Sequence, residues 1–237
     1  EVRGSIPLGS TLMPTIYFLL SLTFLYLTKT WLTRGISRLI HSFGGNSNST
    51  IIFWSIIFLP GTVIHEISHF LVAAATGART GKIEILPEFI SDDQDGGVAL
   101  GSVETQKLNP IQGFLVGFAP FVSGLVLLFW LSSLILANLQ TGEYLFFSFQ
   151  IYLFFVIANS FFPSWSDIRQ TLPLVAMFIS AIVILSLVGF SFDLNISSKI
   201  IPLLANLTKT LIISSVLNLV ILVIVLFFLR MIFTISS

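Results

Sequence analysis

His65 and His69 stand four residues apart in "PGTVIHEISHFLVAAATGA" (60–78), with Glu66 beside the first. On a helix that spacing puts both imidazoles on one face, a turn apart, where both can reach one metal ion. A carboxylate next to them can take a proton from a metal-polarised water. This is the H-E-x-x-H arrangement of zinc hydrolases. The stretch is otherwise apolar, and an ionisable group at mid-membrane costs about 2.5–3.5 kcal/mol even on the lenient insertion scale. Three such groups need a compensating partner, and a divalent cation supplies one. The alternative is a pair of hydrogen-bonded interior histidines with a glutamate partner.

Two histidines and a water leave zinc one ligand short of its usual tetrahedron. His41 is the only other histidine, and it falls on the polar face of an amphipathic stretch, which makes it a poor candidate. Asp167 is the best carboxylate. It lies in "VIANSFFPSWSDIRQTLP" (156–173), where Asn159, Pro163 and Asp167 interrupt apolar sequence. A chain broken by proline at membrane depth is tolerated where it lines a cavity or is buried in protein. A local alternative exists, because Ser164-x-x-Asp167 also fits a helix-capping pattern.

The elements around these residues are membrane elements. Of 237 residues, 55% are hydrophobic and 9% charged, far from the balance of a soluble domain. The expected fold class is an all-α polytopic membrane protein of about six transmembrane helices, at roughly 12–32, 51–77, 111–138, 144–162, 172–192 and 202–234. An even count puts both termini on one side, and the distribution of Lys and Arg leans to the cytoplasm. From Ile51 to His65 is about 21 Å of helix and from His69 to Gly77 about 12 Å, so the histidines lie inside the hydrocarbon zone. Pro60-Gly61 just upstream reads either as the opening of a small polar cavity or as a packing kink.

Two connections carry information. Residues 31–43 alternate Leu32, Ile36, Leu39, Ile40 and Phe43 with Arg34, Ser37, Arg38 and His41, as in a helix lying along the membrane surface. Ser49 or Thr50 is expected to cap the second span. Residues 78–110 read as an irregular, membrane-associated β-hairpin, and Asp92, Asp93 and Asp95 within it as a solvated loop, since they lack the ligand spacing of a calcium loop. Residues 1–11 read as a leader or remnant, and 12–237 as a single transmembrane metalloprotease domain with its core at 51–170. There is no cysteine, which removes thiolate ligands, and the formal net charge is zero, so no nucleic-acid signal appears.

The sequence resembles the site-2 protease family of intramembrane zinc metalloproteases, in its compact six-span prokaryotic form. "HEISH" falls in the second span, "GKIEILPEFISDDQDGGVAL" is similar to the family's membrane-associated β-region, and "GFAPFVSG" (117–124) is similar to the opening of its third core span. Asn159 and Asp167 keep the spacing of the family's Asn and metal-binding Asp. Proline appears there once, at Pro163, Ile168 replaces the glycine after the aspartate, and Phe-Ala-Pro replaces Ala-Gly-Pro, the marks of a divergent member.

The resemblance implies one Zn²⁺ per chain held by His65, His69 and Asp167, with Glu66 as general base and Asn159 contacting the substrate backbone. The implied substrates are transmembrane segments of other proteins, cleaved within the lipid bilayer of a prokaryotic cell membrane. Two rival readings stand beside it. A membrane zinc protease of the CAAX-processing or HtpX type would take Glu143 as third ligand. A metal transporter or metal-binding scaffold would need several polar ligands spread over facing helices, where this chain offers mainly serines, threonines and amides such as Asn218.

Overall fold

The computed structural model describes residues 8–78, 80–84, 88–89, 98–99, 102–105, 108–138, 144–189 and 200–235. Glu143, the acidic cluster at 92–95 and residues 1–7 of the expected leader lie outside them. The helices are α1 (Leu8–Ser42), α2 (Ser47–Ala75), α3 (Pro110–Asn138), α4 (Tyr144–Ser160), α5 (Trp165–Leu187) and α6 (Ile200–Ile235). Five of them are long and apolar enough to cross a membrane, and α4, with 17 residues, is shorter. The most apolar window of α5 has none of its residues buried inside the protein. Apolar surface facing outward on this scale fits lipid as the solvent, and the chain is consistent with a multi-pass membrane protein.

The chain divides into two compact units, Glu1–Gly44 with Ser191–Ser237, and Gly45–Phe190. In the first, α1 packs on α6. Asn218 Nδ2 lies 3.5 Å from Thr28 Oγ1, and a Cβ at Gly35 would meet Leu222 and Val225 further along. Rising numbers meet rising numbers, so the two helices run parallel. The expected surface helix at 31–43 is not a separate element, because α1 continues unbroken to Ser42. Its apolar stripe has a protein partner: Leu32 is 1% exposed and Gly35 abuts α6.

The second unit carries the histidines. Asn46, not Ser49 or Thr50, caps α2, its Oδ1 accepting from Ser49 N at 2.9 Å. Tyr152 on α4 donates its hydroxyl to Ile57 O at 2.8 Å, a turn before Pro60-Gly61. α3 returns antiparallel to α2: Gln112 Nε2 donates to Thr76 O at 3.0 Å, and Ser68 Oγ meets Ser123 Oγ at 2.6 Å. Between them β1 (Thr80–Glu84) pairs antiparallel with β4 (Ser102–Thr105), and β2 (Glu88–Phe89) with β3 (Val98–Ala99).

The direction of α4 and α5 matters for the site. α4 runs parallel to α2, since Tyr152 meets Ile57 and Ser160 meets His65 and Gly61. α5 runs antiparallel to α3, since Gly113 abuts Gln170 and Gly117 abuts Asp167. Both therefore oppose α3 and point the same way. The chain thus keeps its direction from α4 through Phe161–Ser164 into α5.

Candidate metal centre

α2 delivers both histidines from one face, as their spacing requires, and α5 delivers Asp167 from its first turn. His65 Nε2 lies 3.4 Å from Asp167 Oδ2 and His69 Nε2 lies 3.1 Å from Asp167 Oδ1. The ligating atoms of the three residues all fall within 4.8 Å of one another. His69 and Asp167 are buried and His65 nearly so.

The outer ring nitrogens define what the inner ones can do. His65 Nδ1 donates to Ser160 O at 3.0 Å, and His69 Nδ1 donates to Val116 O at 2.8 Å. A carbonyl oxygen can only accept, so each Nδ1 holds the proton and each neutral ring turns a lone pair at Nε2 toward Asp167. An ionised carboxylate also offers only lone pairs. Two imidazole lone pairs and a carboxylate facing one point repel unless a proton or a metal cation stands among them, and a divalent cation satisfies all three at once. Two imidazole nitrogens and a carboxylate are a donor set that zinc takes, and both Nε2 atoms approach the same carboxylate, one at each oxygen. The residues present fit a zinc ion.

The carbonyl that accepts from His69 owes its availability to proline. Val116 O would be bonded in a regular helix by the N–H four residues on, but that residue is Pro120, which has none. Ser160 is the last residue of α4, ahead of Pro163. The sequence marks Pro163 as a break and holds Pro120 within the stretch 117–124, and counting back four from Pro120 finds Val116.

Asp167 is positioned by the capping box that had seemed an alternative to ligation. Ser164 N donates to Asp167 Oδ2 at 2.7 Å, and Asp167 N donates to Ser164 Oγ at 3.2 Å. The two readings of Ser164-x-x-Asp167 are compatible, because the cap fixes the rotamer that aims the carboxylate at the histidines. Close approach of α3 helps. A Cβ at Gly117 would meet Asp167 O at 2.7 Å and Thr171 Cγ2 at 2.9 Å, so only glycine lets α5 sit this near.

Glu66 is buried beside His65, and its charge interacts with His65, His69 and Asp167. Asn159 is buried in the last turn of α4, where its Nδ2 donates to Phe155 O at 2.8 Å. Its amide nitrogen thus serves its own helix here. Compared with protein-family models, curated proteins and solved structures, the chain matches none.

Proposed function

We propose that this chain is an intramembrane zinc metalloprotease of the site-2 type, with His65, His69 and Asp167 as ligands and Glu66 as general base. The observation that carries the reading is the convergence of three lone-pair donors whose outer ring nitrogens are tied to carbonyls. When bound, zinc supplies Lewis acidity, lowering the pKa of a water toward ~7 and polarising a scissile carbonyl. Glu66 takes the water's proton and returns it to the leaving amine. Ser160 and Val116 hold the two rings in the ligating tautomer throughout. Asn159, next to Ser160, is the candidate contact for the substrate backbone.

The substrate is a transmembrane segment that must unwind before its amides are accessible, and an unwound strand in lipid needs main-chain partners. The strands between α2 and α3 offer an edge for that pairing. The transporter reading is weaker, because the described residues contain one cluster of three potential ligands and no second one along a path.

The test is zinc content of the purified protein alongside cleavage of model transmembrane substrates in liposomes. Wild type should hold about one zinc and cleave, Asp167→Asn should lose metal and activity, and Glu66→Gln should keep metal and lose activity. Full zinc in Asp167→Asn with none in Glu143→Gln would transfer the third-ligand role to Glu143. A folded wild type that binds no zinc would sink the reading altogether.

A further inference from the structure

α1 and α6 contain no aspartate or glutamate, yet they carry Lys29, Arg34, Arg38, His41, Lys209 and Arg230. Arg34, Arg38 and His41 recur at helical spacing over the last turns of α1, so they form one stripe, and all three are exposed. Neither arginine has an ion-pair partner among the described residues. The favourable end of the α1 dipole accounts for cations here but supplies no counter-anion.

Beside the stripe lies an open groove of about 710 Å³, with Arg34, Arg38 and His41 along one side and Leu229 of α6 on the other. Leu229 is the apolar side chain among its lining residues. Thr33 and Ser37 also line it, and their hydroxyls are already donated to Lys29 O at 2.9 Å and Thr33 O at 2.8 Å. What those oxygens still offer is acceptance. His41 Nδ1 donates to Ser37 O at 2.7 Å, which leaves its other nitrogen for a ligand. Trp31, 44% exposed, stands a turn before the stripe, as an aromatic at the membrane boundary does.

We propose that this groove binds the headgroup of an anionic glycerophospholipid. The phosphodiester sits against Arg34 and Arg38, hydroxyl donors of the headgroup reach Thr33 and Ser37, and the glycerol ester region lies on the apolar wall at Leu229. A free phosphate ion would satisfy the arginines, but it has no use for the apolar wall or for accept-only oxygens. Phosphatidylglycerol meets all three features.

The experiment is native mass spectrometry of the full chain after equilibration with equal phosphatidylglycerol and phosphatidylcholine. Wild type should retain phosphatidylglycerol preferentially, and Arg34→Gln/Arg38→Gln should bind it about thirtyfold more weakly. Arg34→Lys/Arg38→Lys, which keeps the charge, should retain most of the binding, and inorganic phosphate at matched concentration should not displace the lipid. The proposal is overturned if wild type shows no headgroup preference, if the double glutamine variant binds as wild type does, or if inorganic phosphate competes equally. Circular dichroism checks folding. Should the double variant not fold, Arg38→Gln and His41→Gln singly should each weaken binding, Arg38→Gln by about fivefold, and wild-type retention in both would overturn the proposal.

Discussion

Ser160 and Ser164 are the two ends of a main-chain hydrogen bond that is not made. In an unbroken helix Ser164 N–H would donate to Ser160 O. Instead Ser160 O accepts from His65 Nδ1, and Ser164 N–H donates to Asp167 Oδ2. One missing bond becomes two contacts, each aiming a different candidate ligand at the same point. Pro163 lies inside this gap and steers Phe162 away from helical backbone, which keeps the pair apart. Val116 and Pro120 repeat the device in α3 with a single contact, to His69.

Pro120→Ala therefore separates stability from metal affinity. The new N–H can close the helical bond to Val116 O, so the metal-free protein should be as stable or more stable. His69 then loses its acceptor, and zinc affinity should fall by about 10–100-fold, the usual effect of deleting a partner of a ligating histidine. Competition with a chromophoric chelator and a thermal melt read the two quantities. Unchanged affinity would mean that Val116 O does not orient His69.

Ser164→Ala should do the opposite. It removes the acceptor for Asp167 N and costs about 1 kcal/mol of stability, as loss of a cap does. Ser164 N–H still holds Asp167 Oδ2, so zinc affinity should drop by less than about tenfold. A loss of zinc as complete as in Asp167→Asn would show that the hydroxyl, and not the main-chain N–H, fixes the carboxylate.

Gly117→Ala tests the approach of α3 to α5. The added Cβ would press on Asp167 O and Thr171 Cγ2, which must move apart at a cost of about 1–3 kcal/mol. Asp167 moves with its helix, so zinc affinity should fall alongside stability. Gly189→Ala is the comparison: its Cβ would meet nothing, although its φ of 93° still brings some strain. That variant should lose stability without losing zinc.

The three residues that the fold brings together were legible because their signals are local. His65 and His69 are related by helix period, and Asp167 by its short distance from the proline break. What surrounds them was not legible in the same way. Amphipathic sequence at 31–43 records a polar and an apolar face, but not whether water, lipid or α6 covers the apolar one, and Leu32 turned out to face α6. The tie from His69 to Val116 joins residues far apart in sequence, and only the missing N–H of Pro120 marks it. Hydropathy likewise counts apolar stretches without giving their direction, and α4 and α5 point the same way.

That direction has a measurable consequence. Each crossing reverses the chain, so parallel α1 and α6 require an odd number of crossings in all. With α4 and α5 pointing the same way, the helix directions predict that the start of α1 and the end of α6 lie on opposite faces. The chain has no cysteine, so Ser5→Cys and Ser236→Cys each introduce a unique thiol. In sealed, uniformly oriented vesicles a membrane-impermeant maleimide should label one of these variants at once and the other only after permeabilisation. Labelling of both from the same side would mean that α4 and α5 each cross the bilayer, and that the break at Phe161–Ser164 is a turn between spans.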